Sequence, residues 1–259
     1  MTNSSVTDYV RDPKERVKPA LSIITATYNA EKYLPNLIES LRLQDSRNFE
    51  WVVADGASTD STLAILNQVE DLNIVITSQK DFGIYDALNR AINMCSGGYY
   101  LVVGSDDELQ TNAVSVINEH LNSNPGLDLL IGEVVNNNKI IRIRKGLRFL
   151  YGARALVASH SVGCVFNKKL HDKHGMYSNK YPILADTYFI KQIFADGGLR
   201  YIYAPEIFGN FSGYGVSSNN ILRSQCEFAH IQLTTEKYKY VQLIIIVLRL
   251  LRNLFNGEK

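Results

Sequence analysis

Apolar and polar positions switch between two periods along the first part of the chain. Ala20 to Thr25 (ALSIIT) is a short apolar run and predicts a buried strand. Leu34, Leu37, Ile38 and Leu41 then recur at helical spacing. Phe49 to Ala54 (FEWVVA) predicts a second strand, and Leu63, Ile65, Leu66 and Val69 a second helix. Asn73 to Thr77 (NIVIT) predicts a third strand. Ile84, Ala87, Leu88, Ala91 and Ile92 form a helical stripe that Gly97 and Gly98 would stop. Tyr99 to Gly104 (YYLVVG) predicts a fourth strand. Repeated strand–helix–strand units imply an α/β fold: a Rossmann-like, mostly parallel sheet with helices on both faces.

The second half is less regular. Leu127 to Gly132, Lys139 to Ile143 and Ser161 to Phe166 read as strands, and Asp186 to Phe194 as a helix. Tyr201 to Tyr203 and Ile207 to Phe211 read as extended, and the chain from Ser218 onward as helical. The expected organisation is a polar tail (1–18), one domain (19–218) whose regular part is 19–110 and irregular part 111–218, and a C-terminal helical segment (219–259).

Composition narrows the class. The chain has 259 residues, 46% hydrophobic and 20% charged, with a formal net charge of +1. It is too apolar to stay disordered, and no global charge draws it to nucleic acid. Cys95, Cys164 and Cys226 lie far apart and read as free buried thiols rather than a disulfide or zinc framework. Met1 to Lys18 has no apolar core of a secretory signal, so a cytoplasmic location is expected.

In parallel sheets, ligands bind outside the carboxyl ends of the strands. Those ends carry one kind of chemistry here. Thr27-Tyr28-Asn29 follows the first strand and Asp55-Gly56-Ala57-Ser58-Thr59-Asp60 the second. Lys80-Asp81 follows the third and Ser105-Asp106-Asp107-Glu108 the fourth. Caps and turns account for single segments. They do not account for four in succession, nor for two adjacent carboxylates, whose repulsion a hard divalent cation would relieve.

In SIITATYNAEKYL (22–34), VVADGASTDST (52–62), KDFGIYDALNRAI (80–92), GSDDEL (104–109), LADTYF (184–189) and NFSGYGVSS (210–218), the chain resembles the family 2 glycosyltransferases of the GT-A fold. The likeness is to the branch that builds bacterial surface polysaccharides. It implies that Tyr28 stacks on the nucleotide base beside the Ala26 and Thr27 backbone, that Asp55 accepts from the base and that Asp81 helps hold the nucleoside. Asp106 would contact the ribose, and Asp107 would ligate the Mg²⁺ or Mn²⁺ that bridges the diphosphate. Asp186 would be the base, with Ala185 where the family often has Glu. His160 would line the acceptor or diphosphate side. Ser212 stands where the family often has Arg. The implied reaction is transfer, with inversion, from a nucleotide sugar held by 19–110 to a lipid-linked or oligosaccharide acceptor held by 111–218. A sugar nucleotidyltransferase and a non-catalytic nucleotide-sugar binder are the alternatives. The first lacks its Gly-rich loop here; the second is at odds with the retained Asp106, Asp107 and Asp186.

Two further features stand outside that chemistry. Arg142, Arg144, Lys145, Arg148 and Arg154 concentrate positive charge. Val241 to Leu251 (VQLIIIVLRLL) is shorter than the roughly 20 apolar residues of a membrane span. With Lys237 and Lys239 beside it, it suits a helix lying in a membrane interface on the inner face of the cell membrane, and it also suits packing on a partner subunit or on the protein's own core.

Overall fold

The computed structural model describes residues 9–11, 18–142, 156–157, 161–212 and 221–256. Residues 19–110 follow the pattern predicted from their apolar runs. β2 (Leu21–Thr27), β3 (Phe49–Asp55), β4 (Ile74–Ser78) and β5 (Tyr99–Val102) pair in parallel in the order β4-β3-β2-β5. α1 (Leu34–Arg42), α2 (Thr62–Asn67) and α3 (Ile84–Met94) make the crossovers. Strand residues alternate between two apolar layers. Ile23, Trp51, Val53 and Leu101 face one layer with α1. Ile24, Val52, Ala54 and Val102 face the other with α3. Burial on both faces is why these strands read as continuous apolar runs.

β1 (Tyr9–Arg11) adds to β4 antiparallel, from within the stretch expected to be a polar tail. Beyond β5 come β6 (Glu108–Leu109), α4 (Ala113–Ser123), β7 (Leu129–Asn136) and β8 (Lys139–Ile141). β9 (Cys164–Asn167) bridges the halves by pairing antiparallel with both β5 and β7. The sheet is therefore continuous across the boundary between residues 110 and 111, in the order β1-β4-β3-β2-β5-β9-β7-β10-β6. Ser161 to Gly163, expected to begin a strand, is a 3₁₀ turn.

α5 (Leu170–His174) and α6 (Ala185–Ala195) follow. β10 (Tyr201–Asn210) joins two segments expected to be separate. Its register shifts after Tyr203, where Pro205 interrupts the run. The C-terminal helical segment is two helices, α7 (Ile221–Thr235) and α8 (Lys239–Asn256). Of the three free thiols, Cys95 and Cys164 are buried as expected and Cys226 is exposed. His160 and four of the five clustered basic residues (Arg144, Lys145, Arg148 and Arg154) lie outside the described residues. Arg142 is described, and pairs with Glu133 at 2.9 Å.

Candidate active site

The loops after β2 and β3 are laced together. Gly56 N–H donates to the Thr27 carbonyl at 2.8 Å, and Thr59 N–H donates to Asn29 Oδ1 at 2.9 Å. Asn29 N–H returns a bond to Ser58 Oγ at 2.9 Å. Asn29 and Ala57 both hold positive φ, 48° and 62°. A left-handed alanine costs about 1–2 kcal/mol and persists only where the surroundings fix it. Asp55 does that fixing. Its Oδ1 accepts from Thr27 Oγ1 (2.9 Å) and Ser58 Oγ (2.5 Å). Its Oδ2 accepts from Ser58 N–H (2.9 Å) and Ser78 Oγ (2.7 Å). These occupy the roughly four acceptor positions of a carboxylate. In this conformation fully buried Asp55 therefore organises the loop, and a base bonding to it would displace one of these donors.

Tyr28 stands 66% exposed at this edge, its ring available for stacking, with buried Thr27 and half-buried Ala26 behind it. Asp81 packs over Gly56 so closely that a Cβ there would lie 2.6 Å from Asp81 Oδ2. Burial raises the Asp81 carboxyl, against the Gly83 N–H and the Arg90 charge. Arg90, on α3, donates Nη2 to the Asp55 carbonyl at 2.7 Å. Phe82 projects 93% exposed beside Asp81.

After β5 the chain turns back on itself. Asp107 is buried, with Oδ2 accepting from Gly104 N–H at 3.0 Å and Oδ1 from Ser212 N–H at 3.3 Å. Burial, then the neighbouring Asp106 charge, pushes its carboxyl up to about 7. Asp106 Oδ2 accepts from Ser212 Oγ. Ser212 thus holds both carboxylates from the end of β10.

Asp186 is the second residue of α6, not its cap. Its Oδ1 accepts from Tyr85 Oη at 2.8 Å and from Thr187 N–H at 2.6 Å. Tyr85, on α3, is buried, and desolvation followed by the Asp186 charge holds its phenol well above the ordinary value. It is therefore a protonated donor. Glu227 on α7 accepts from Ile183 N–H and Leu184 N–H, both at 3.0 Å, and so fixes the start of α6. Tyr85 lies at the start of α3, which follows the carboxyl end of β4, so Asp186 is tied to the same edge of the parallel sheet as Asp106–Asp107, which follow β5.

Sequence patterns gave no role to Tyr85, Arg90 or Glu227, and marked Ser212 only as standing where the family often has Arg. Tyr85 and Arg90 lie in the quoted stretch 80–92, which is the signal that could have found them. Glu227 is an ordinary helical Glu with no such signal. A cavity of about 500 Å³, lined by Gly97, Gly98, Lys168 and Lys169 among others, opens at the opposite end of β5. It shares no residue with the carboxylate edge.

Among the described residues no three His, Cys, Asp or Glu side chains converge as a metal cage. Two adjacent carboxylates, one of them buried, still suit Mg²⁺ or Mn²⁺. Such ions are commonly held by one or two carboxylates with phosphate oxygens completing the shell.

A parallel α/β sheet with polar loops at the carboxyl ends of its strands, joined to a mixed second half, is the GT-A architecture. Solved structures agree on the fold. A mannosyltransferase from Pyrobaculum calidifontis, in complex with GDP-Man and Mn²⁺, superposes with a TM-score of 0.64 at 18% identity, over 94% of this chain and 76% of its own. Staphylococcus aureus TarS 1–349 in complex with UDP superposes with a TM-score of 0.61 at 21% identity, over 90% of this chain and 71% of its own. In sequence, a PGL/p-HBAD biosynthesis glycosyltransferase of Mycobacterium bovis is 28% identical over 236 residues, 89% of this chain and 90% of its own. Residues 22–178 match glycosyl transferase family 2, and the chain belongs to that family.

Proposed function

We propose that the protein is an inverting, metal-dependent glycosyltransferase. It moves a sugar from a nucleotide donor, UDP-sugar favoured, to a hydroxyl of a lipid-linked glycan in bacterial polysaccharide synthesis. What supports this reading is that Asp106–Asp107 follow the carboxyl end of β5 while Asp186 is hydrogen-bonded to Tyr85 at the start of α3, which follows the carboxyl end of β4. UDP is favoured because TarS has been solved with UDP. The GDP-Man complex of the Pyrobaculum enzyme keeps the choice of nucleotide an experimental question.

Residues 19–110 grip the donor: Tyr28 stacks on the base, Asp81 meets the nucleoside, Asp106 the ribose, and Asp55 keeps the loop in shape for them. Asp107, with Asp106 beside it, would hold the divalent ion against the diphosphate. That ion supplies positive charge where negative charge grows on the leaving group. Residues 111–218 supply Asp186. Its carboxylate takes the proton from the acceptor hydroxyl. The acceptor oxygen bonds to the anomeric carbon as the bond from that carbon to the phosphate oxygen breaks. A nucleoside diphosphate leaves from the opposite face, inverting the centre. His160 is assigned to the acceptor or diphosphate side on the resemblance alone.

The test is a panel of UDP-, GDP- and dTDP-sugars scored by released nucleoside diphosphate, with and without EDTA. EDTA is expected to stop release, as are Asp107→Ala and Asp186→Asn in chains that keep the wild-type unfolding midpoint. Calorimetry with UDP and Mn²⁺ should show binding lost in Asp107→Ala and kept in Asp186→Asn. Near-native turnover in Asp186→Asn removes the base assignment. Binding without turnover on any donor favours the non-catalytic reading.

A further inference from the structure

Helix α8 is mounted with its polar side inward. Gln242 is the one polar side chain between Val241 and Leu248, and it is 1% exposed. It accepts from Gln232 Nε2 of α7 at 3.3 Å. Gln232 Oε1 in turn accepts from buried Lys191 of α6, which also pairs with Glu236 at 2.5 Å. The seam that attaches α8 thus includes a chain of polar groups running through three helices, flanked by half-buried Ile245 and Ile246. Its other apolar residues look outward. Tyr240 is 87% exposed, Ile244 61% and Leu248 60%, with Val241, Leu243 and Val247 also exposed. Positions 240, 244, 247 and 248 share one helical face. An amphipathic helix on a water-soluble surface normally buries this face and exposes the other, so the arrangement calls for a cover.

Charge decides what the cover is. From Lys237 to Gly257 the sequence has Lys237, Lys239, Arg249 and Arg252 and no acidic residue. Lys239, and the position of Arg252 along the helix, fall at opposite edges of the apolar face. Tyr238 and Tyr240 stand exposed at its start. A second copy laid on this face would oppose cations to cations with no acidic residue on either helix to pair them. Anionic head groups would pair with those cations, while the apolar side chains enter the acyl boundary and the tyrosines sit at the water interface. Among the described residues no helix is long and apolar enough to cross a membrane, so α8 would lie along the surface.

We propose that the exposed face of α8 docks the protein on an anionic lipid bilayer. This gives the membrane side of the functional reading above a specific surface. It does not depend on Asp186 or Asp107, so the two can fail separately.

The test is co-sedimentation of the full chain with phosphatidylcholine vesicles containing 0 or 30% phosphatidylglycerol, at two salt concentrations. The wild type is expected on the anionic vesicles, with binding weakened by salt and at least tenfold lower on neutral ones. Ile244→Glu/Leu248→Glu changes only exposed side chains and should cut binding at least tenfold. UDP–Mn²⁺ binding and the unfolding midpoint should stay unchanged. Lys237→Glu/Lys239→Glu should give a smaller, salt-sensitive loss. No sedimentation of the wild type, or undiminished binding of Ile244→Glu/Leu248→Glu, overturns the proposal. So does a dimer in light scattering that this variant abolishes while vesicles bind neither form.

Discussion

Asp107→Asn should reverse its effect on stability as pH changes. In the folded chain, burial and the Asp106 charge hold the Asp107 carboxyl near 7; unfolded, it titrates near 4. A carboxyl raised on folding favours the folded state when protonated. That contribution is complete below about pH 4 and is lost as pH rises through about 7. The gap of about three pH units corresponds to about 4 kcal/mol, of which about 3 falls between pH 4.5 and 7.5. Asparagine carries no such charge. It has one acceptor oxygen where the carboxyl has two, so it fails to meet both Gly104 N–H and Ser212 N–H, at a cost of about 1 kcal/mol.

The variant is therefore expected to match or fall below the wild type at pH 4.5 and to exceed it by about 2–3 kcal/mol at pH 7.5. Urea unfolding in EDTA across this range measures the difference directly. Mn²⁺ with UDP should stabilise the wild type at pH 7.5 and leave the variant unmoved, since ligand binding adds only to a state that binds it. Parallel pH curves for the two proteins in EDTA would refute the reasoning, for they would show that no uncompensated charge is buried there.

Three further outcomes follow from neighbouring contacts. Tyr85→Phe removes the bond to Asp186 while keeping the ring, and should lower kcat about tenfold with donor KM little changed; a changed KM and unchanged kcat would place Tyr85 with the donor instead. Gly56→Ala puts a methyl 2.6 Å from Asp81 Oδ2, so calorimetric UDP affinity should fall about tenfold at an unchanged unfolding midpoint. Lys191→Met leaves Glu236 and Gln232 without their shared cation and should cost about 2–4 kcal/mol in urea; a smaller loss would mean that the seam is solvated rather than buried.

Residues 19–110 were legible because their strands are buried on both faces and their helices carry regular stripes. Each element there announces itself within a few residues. The second half mixes directions and interrupts its own patterns. Pro205 splits β10 into two apparent segments. Val114 and Val116 lend α4 a strand-like alternation. A three-residue edge strand such as β1 leaves no period to read. The site divides in the same way. Asp55, Asp81, Asp106 and Asp107 sit at strand ends, where position alone makes a carboxylate conspicuous. Ser212 and Glu227 act through backbone geometry set by residues more than 40 positions away, which no local pattern encodes.

That division bears on how the two halves work together. Asp186 is held from three directions: by Tyr85 of α3, by the Thr187 N–H of its own helix, and through Glu227 of α7, which fixes the turn before it. α3 begins at Ile84, immediately after the loop that carries Asp81 and Gly83. On the proposed roles, a donor that shifts this loop pushes on the helix that positions Asp186. α7, on the other side, is tied through Gln232 to α8 and its exposed apolar face. Under that reading the proposed base stands between the element proposed to meet the nucleotide and the element that faces outward. An enzyme whose acceptor arrived from a surface would gain from that placement, because proton removal would then be set by contacts to both substrates' sides rather than by the donor alone.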